Sequence, residues 1–269
     1  MPARLGPDRT RGLIIASGEA TPSDSGLGSF ARVFGLLGPQ PRVVLIARRD
    51  EGENDDLDLS MQMRSAGAAD VWRAALRARA DCEQRSLLDA LEGAQLALLQ
   101  TDQPLRLSTL IGGTPLARSL RRRNAEGMAV AGCGAAAALL CEHMLARGET
   151  GATPRHGGVQ LAPGLGLTNR VIIDQGGHAS DRLGRLLAAL ALNPFALGLG
   201  IDADTSAIIG PDNVLEVVGQ GGVTLLDPSE MTDSNVADVA PGAPIRITNL
   251  RLHALPGGTR YDLDFRQTL

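Results

Sequence analysis

The stretch in which residue types and spacing speak most directly of chemistry runs from Met128 to Leu140, Met-Ala-Val-Ala-Gly-Cys-Gly-Ala-Ala-Ala-Ala-Leu-Leu. A short apolar strand, Met128 to Ala131, breaks at Gly132, and an alanine-rich helix from Ala135 to Arg147 is expected to follow. Only small side chains occupy the turn. This is the pattern of a nucleophile elbow, a sharp strand-to-helix turn that lifts one residue to the top of a sheet and needs small neighbours for the backbone to fit. The residue at the tip is Gly134, which has no side chain with which to attack a substrate. Cys133 stands one position earlier, and a thiolate is the better nucleophile at neutral pH. On a tight turn, however, a slip of one position points a side chain away from the site.

Gly132-Cys133-Gly134-Ala135-Ala136-Ala137 resembles the Gly-Thr-Ser-Ala-Gly-Ala elbow of the cyanophycinase family. These are serine peptidases with a class I glutamine amidotransferase-like fold, which cut the arginine-decorated polyaspartate cyanophycin into β-aspartyl-arginine dipeptides. The resemblance recurs, in the family's order, at Thr101-Asp102-Gln103-Pro104-Leu105-Arg106-Leu107, Gly164-Leu165-Gly166-Leu167, Ile173-Asp174-Gln175, Arg182-Leu183-Gly184-Arg185-Leu186, Gly198-Leu199-Gly200-Ile201-Asp202 and Asn249-Leu250-Arg251-Leu252-His253. It covers nearly the whole chain.

A serine peptidase needs a hydroxyl nucleophile, an imidazole within hydrogen-bond reach, and an acid that orients the imidazole. The resemblance places these at Gly134, at Gly176 directly after the Asp-Gln pair, and at Ala203 directly after the Gly-Leu-Gly-Ile-Asp block, so every reacting side chain is replaced by Gly or Ala. His178 follows shortly after Gly176 in a glycine-containing stretch and is the imidazole that could join Cys133. His143 and His156 lack partners at metal-ligand spacing, and His253 reads as a structural residue of a late strand. The positions that line the family's pocket are filled by Gln103, Asp174, Gln175, Arg182 and Arg185. Asp174 suits a guanidinium, Arg182 or Arg185 a carboxylate in fork geometry, and the two glutamines suit amides. Equally, Arg182 and Arg185, spaced to share a helix face, suit ion pairs with a neighbouring acid. Two departures bear on the pocket: the family's Gly-Gly before Asp-Gln is Gln100-Thr101, and an arginine expected between Gln175 and Arg182 is Ser180.

The resemblance thus implies a pseudoenzyme that keeps the peptidase fold, with cyanophycin or the β-aspartyl-arginine dipeptide as ligand. It also implies a homodimer, or a heterodimer with an active cyanophycinase-like subunit. The alternative is an active hydrolase that uses Cys133. No cofactor or metal is implied.

The elements that must position these residues follow from hydrophobic patterning. A chain of 269 residues with 43% hydrophobic content fills a sizeable core, and no linker or composition shift divides it, so a single domain is expected. Residues 1–11 carry charge and two prolines but no apolar core of a signal sequence. No apolar run reaches the ~20 residues of a membrane helix. A cytoplasmic protein is expected. A net charge of -4 gives no footprint for nucleic acid, and three cysteines form neither a disulfide framework nor a zinc site. Apolar runs at Gly12–Ser17, Arg42–Ala47, Ala94–Leu99 and Val171–Asp174 read as buried strands. Between them come helical stretches at Ser29–Leu37, Leu57–Ala66, Ser86–Leu91, Leu105–Ile111, Pro115–Asn124 and, later, Arg182–Leu192. Arg118, Arg121, Arg122 and Arg123 read as a solvated helix face. From Ala207 onward short strands alternate with Gly, Pro and Asn turns. The expected architecture is a three-layer α/β fold of flavodoxin-like or amidotransferase-like type. It has a mostly parallel central sheet with helices on both faces and an antiparallel extension at the carboxyl end. Gln103, Gly134 and Asp174 are expected at the carboxyl ends of its strands.

Overall fold

A computed structural model describes residues 10–18, 28–48, 55–174 and 179–269. The strands are β1 (Ile14–Ser17), β2 (Arg42–Arg48), β3 (Asp70–Leu76), β4 (Leu96–Gln100), β5 (Ala129–Cys133), β6 (His143–Gly148), β7 (Val159–Pro163), β8 (Val171–Asp174), β9 (Leu197–Ile201), β10 (Thr205–Ile209), β11 (Val214–Gly219) and β12 (Gly222–Asp227), followed by shorter carboxyl-terminal strands. The helices are α1 (Gly28–Leu36), α2 (Asp55–Ser65), α3 (Arg85–Gly93), α4 (Pro104–Ile111), α5 (Pro115–Ala125) and α6 (Ala179–Leu192).

The central sheet has nine strands. β3, β2, β4, β5 and β1 run parallel and side by side. β10, β11, Arg260–Asp262 and Gln267–Thr268 continue the sheet antiparallel beyond β1. Strand periodicity decides which layer each side chain joins. Val44, Ile46, Ala97, Leu99 and Val130 face one side and pack with Leu87 and Leu91 of α3, Leu107 and Ile111 of α4, and Leu116 and Leu120 of α5. Val43, Leu45, Leu96, Leu98 and Ala131 face the other, against Val33 and Phe34 of α1 and Met63 of α2. This is the expected three-layer arrangement.

Two expectations are corrected. The helix predicted from Ala135 to Arg147 is a 3-10 turn over Gly134–Leu140, after which the chain enters β6, so His143 is an exposed strand residue. Alanine favours helix, but the carbonyls a helix would need are taken by tertiary partners. Leu165 N–H donates to the Leu139 carbonyl at 2.7 Å, Leu167 N–H to that of Leu140 at 3.0 Å, and Gly166 N–H to that of Cys141 at 3.1 Å. Second, Asp174 does not end a strand of the central sheet. β5 already has β1 and β4 on its two edges, and β8 pairs instead with β9 in a separate four-stranded sheet ordered Arg251–Pro256, β12, β9, β8. That sheet turns Ile173, Leu199, Val223 and Leu225 toward the main core, while Ile172 and Leu226 face Leu186, Ala189 and Leu190 of α6.

Candidate functional site

At the carboxyl rim of the central sheet Cys133 has Ser17 and Gln100 as register partners, so the end of β5 is enclosed by its neighbours and the chain must turn sharply. Gly132 permits the turn: a Cβ there would stand 2.6 Å from the Ala136 carbonyl oxygen and 2.7 Å from the Ala137 Cα. Gly134 is buried, with φ at +56°, in the left-handed region that costs other residues roughly 1–2 kcal/mol. The strained turn of a nucleophile elbow is therefore in place, without a side chain at its tip. The 3-10 turn that follows packs against β1, β4, α4 and β8, which puts the elbow at a junction between the two sheets.

Cys133 is half-buried, and its Sγ makes a long 3.7 Å contact with the Gly18 carbonyl. By alternation along β5 its side chain joins Ile15, Val33, Leu98 and Ala131 on the α1–α2 side of the sheet. The alanines after Gly134, and the sheet that carries Asp174, lie on the opposite side. Below the rim the Ser17 and Ser206 hydroxyls share a buried 2.7 Å hydrogen bond. The remaining thiols are buried; burial raises the Cys82 thiol and pushes that of Cys141 up to about 12, so neither is a nucleophile at neutral pH.

Ala203, where the resemblance places the acid, follows β9 and abuts the end of β1. A Cβ on Gly18 would lie 2.0 Å from the Asp202 carbonyl oxygen and 3.2 Å from the Ala203 Cα. Since the Gly18 carbonyl also meets the Cys133 thiol, the acid position and the elbow are neighbours across the β1 end. Gly176, where the resemblance places the histidine, lies outside the described residues, as do Gln175 and His178.

Asp174, Arg182 and Arg185 form one cluster. Asp174 is 2% exposed, and Arg185 holds its carboxylate bidentately, Nε to Oδ2 at 2.7 Å and Nη2 to Oδ1 at 2.8 Å. Arg182, also buried, directs Nη1 to the Asp174 carbonyl at 3.4 Å. Of the two roles left open by the sequence, the geometry realises the ion pair for Asp174 and Arg185. Gly148 admits the clamp, because a Cβ on it would sit 2.6 Å from Arg185 Cδ; nothing in the sequence linked these positions, since the glycine belongs to a different hairpin. Gln103 caps the start of α4, with its backbone N–H on Thr101 Oγ1 at 3.0 Å. Its half-exposed side-chain amide makes no hydrogen bond among the described residues.

The other candidates fall outside this cluster. Arg123 pairs with Glu126 at 2.9 Å, Arg122 pairs with Glu92, and Arg118 bonds the Gly113 carbonyl, the expected solvated face. His253 packs at 5.4 Å on Tyr261 in the carboxyl-terminal sheets, away from the elbow. Among the described residues no helix is long and apolar enough to cross a membrane.

No protein-family model matches the chain. It is 40% identical over 204 residues to a cyanophycinase of Trichormus variabilis, covering 76% of this chain and 68% of that one. It is 36% identical over 261 residues to a cyanophycinase of Thermosynechococcus vestitus, covering 96% and 81%. Among solved structures it is similar to a peptidase from an acI-B1 actinobacterium, with a TM-score of 0.62 and 18% identity over 91% of this chain and 98% of that one. A second likeness, to the "Putative Peptidase E Protein" of Listeria monocytogenes EGD-e, has a TM-score of 0.50 at 10% identity over 77% of this chain and 97% of that one. These two likenesses concern the fold. An elbow at the junction of two sheets, with identity above one third sustained over 96% of the chain, leads to one assignment: the chain belongs to the cyanophycinase family.

Proposed function

We propose that this protein is a non-cleaving member of its family, which binds cyanophycin or the β-aspartyl-arginine dipeptide in the cytoplasm. The observation that carries the reading is the elbow: its left-handed turn is intact and its tip is Gly134. With Gly176 and Ala203 at the other two reacting positions, nucleophile, base and orienting acid are absent together. Binding rests on groups around the elbow that still carry polar atoms. Gln103 presents an uncommitted amide, and Arg182, held against the Asp174 backbone, brings a cation to the same end of β8. A ligand with both guanidinium and carboxylate groups suits such a mixture. In this reading the protein retains the polymer beside an active subunit, in a homodimer or in a heterodimer with a cyanophycinase-like chain.

Purified protein incubated with cyanophycin granules is expected to sediment with them and to release no dipeptide. Gln103→Ala, which leaves the Asp174–Arg185 pair untouched, is expected to weaken β-aspartyl-arginine binding in calorimetry by roughly tenfold, the value of a lost buried amide bond. Unchanged affinity in that variant would remove Gln103 from the pocket. A second reading, hydrolysis through Cys133, is favoured by that thiol being the one cysteine of the chain that is not buried. Its side chain packs on the α1–α2 side, however. Dipeptide release that disappears in Cys133→Ala would establish hydrolysis and refute the binder.

A further inference from the structure

At the end of the central sheet opposite the elbow, beside the start of β1, a groove of about 650 Å³ opens on the α1 side, within the ~300–1,000 Å³ usual for a small-molecule site. Its floor is the sheet itself. Leu13, Ala129, Ile208 and Val214 line it from adjacent strands, and Leu37 borders it just after α1. Ile208 is the register partner of Glu216, and Glu216 that of Arg260, so these three side chains share one row on the α1 side of the sheet. Charged groups form the rim, and most of them are already engaged. Arg123 pairs with Glu126 at 2.9 Å, Glu216 with Arg32 at 3.0 Å, and Arg11 donates to Asn124 Oδ1 at 3.2 Å. Two exposed groups at the mouth differ. Among the described residues the Arg260 guanidinium has no hydrogen bond or ion pair, and the Asp212 carboxylate has no cation, accepting the Val214 N–H on Oδ1 at 3.2 Å.

We propose that this groove binds a short aliphatic molecule charged oppositely at its two ends, with its cation on Asp212, its carboxylate on Arg260 and its stem on the apolar floor. The signs select a neutral ligand. A phosphate ester would meet Asp212, Glu126 and Glu216 with one uncommitted cation to hold it, whereas a single carboxylate suits the guanidinium fork of Arg260. The spacing selects charges at the ends of a stem. Arg260 is level with Glu216, and Asp212 lies four residues back along the same chain segment, on the order of 10 Å between backbones. The stem's methylenes gain by leaving water over Leu13, Ile208 and Val214. Both anchors sit on ordered backbone, Arg260 on a strand paired with β11 and Asp212 in a turn that its own carboxylate closes, so little freedom is lost when they engage. The groove belongs to the far end of the sheet and stands whether the elbow binds, cuts or does neither.

The probe is 6-aminohexanoate, titrated into the nitrogen-15-labelled full chain and followed by amide chemical shifts. Saturable binding with a Kd on the order of 1 mM is expected, with shifts at residues 208–216 and 258–262. Hexanoate and hexylamine, which each lack one charge, and glycine, whose charges lie side by side, are expected to bind about three- to tenfold more weakly. Asp212→Asn, which can still accept the Val214 N–H, and Arg260→Gln are each expected to weaken 6-aminohexanoate by a similar factor without shifting the urea unfolding midpoint. Gln103→Ala, beside the elbow, is expected to leave this affinity unchanged. Shifts that do not saturate, shifts confined to the elbow segments, hexanoate or hexylamine binding as well as the probe, or full affinity in either groove variant would each overturn the proposal.

Discussion

The elbow and the Asp174 cluster belong to two different sheets, joined where the 3-10 turn packs against β8, and each keeps what the other lacks. At the elbow the backbone is intact, with Gly132 allowing the approach of Ala136 and Gly134 at φ +56°, but there is no reacting atom. In the cluster Asp174, Arg182 and Arg185 keep their charged groups, but the carboxylate is engaged by Arg185. Catalysis asks for both in one place, a strained turn that presents a nucleophile and charged groups that stay available to substrate. On the reading proposed above, the contrast is that of a fold that outlasts its chemistry. The turn is held by packing among small residues, which does not depend on a hydroxyl at the tip, and the cluster is held by an internal ion pair, which does not depend on a ligand.

Substitutions sharpen this contrast, beginning with the largest effect. Arg185→Ala strands a buried carboxylate and is expected to cost about 3–5 kcal/mol of unfolding free energy, measurable by urea denaturation; Gly148→Ala, which crowds the same side chain, should move stability in the same direction by less. A loss below ~1 kcal/mol for Arg185→Ala would mean that the clamp is solvated and open to ligand. Restoring all three reacting groups, Gly134→Ser with Gly176→His and Ala203→Glu, should raise dipeptide release from cyanophycin at least about 100-fold over Gly134→Ser alone, since positioned acid–base groups contribute on that scale. Gly134→Ser by itself is expected to lower stability by roughly 1–2 kcal/mol through its positive φ and to release dipeptide only at a trace rate, the baseline for the triple variant. Smallest is a difference between thiols. At pH 8 the native chain should alkylate at Cys133 and resist at Cys141, whose thiol burial has pushed up to about 12, so that Cys141 reacts only after unfolding. Mass spectrometry of the labelled peptides reads this directly.

Much of the fold was legible beforehand because parallel strands buried on both faces read as unbroken apolar runs. β1, β2, β4 and β8 fall where such runs stand, and α1 to α6 fall on the amphipathic stretches between them. The antiparallel strands from β10 onward announce themselves by their turns. What escaped was decided by partners distant in sequence. The alanine run after Gly134 has helical propensity, yet residues 165–167 capture its carbonyls and the chain leaves as a strand. β7, Val-Gln-Leu-Ala-Pro, is a short piece after the polar loop at 148–158 and is held as a strand by pairing with β6. Asp174 ends a run indistinguishable from those of the central sheet, and only the occupancy of both edges of β5 sends it to a second sheet.

The amino-acid sequence alone determined which side chains stand at the positions that the resemblance assigns to the reacting groups. Gly134, Gly176 and Ala203 offer no hydroxyl, imidazole or carboxylate in any conformation, because a side chain absent from the chain cannot be supplied by folding. Tertiary structure alone decided what the surviving polar groups do. Arg185 read equally as a ligand contact or as the ion-pair partner of a neighbouring acid, while Asp174 read first as a ligand contact. The choice fell to the pairing because β8 and α6 bring a buried carboxylate within 2.7 Å of a guanidinium, and an ion left dry and unpaired costs several kcal/mol.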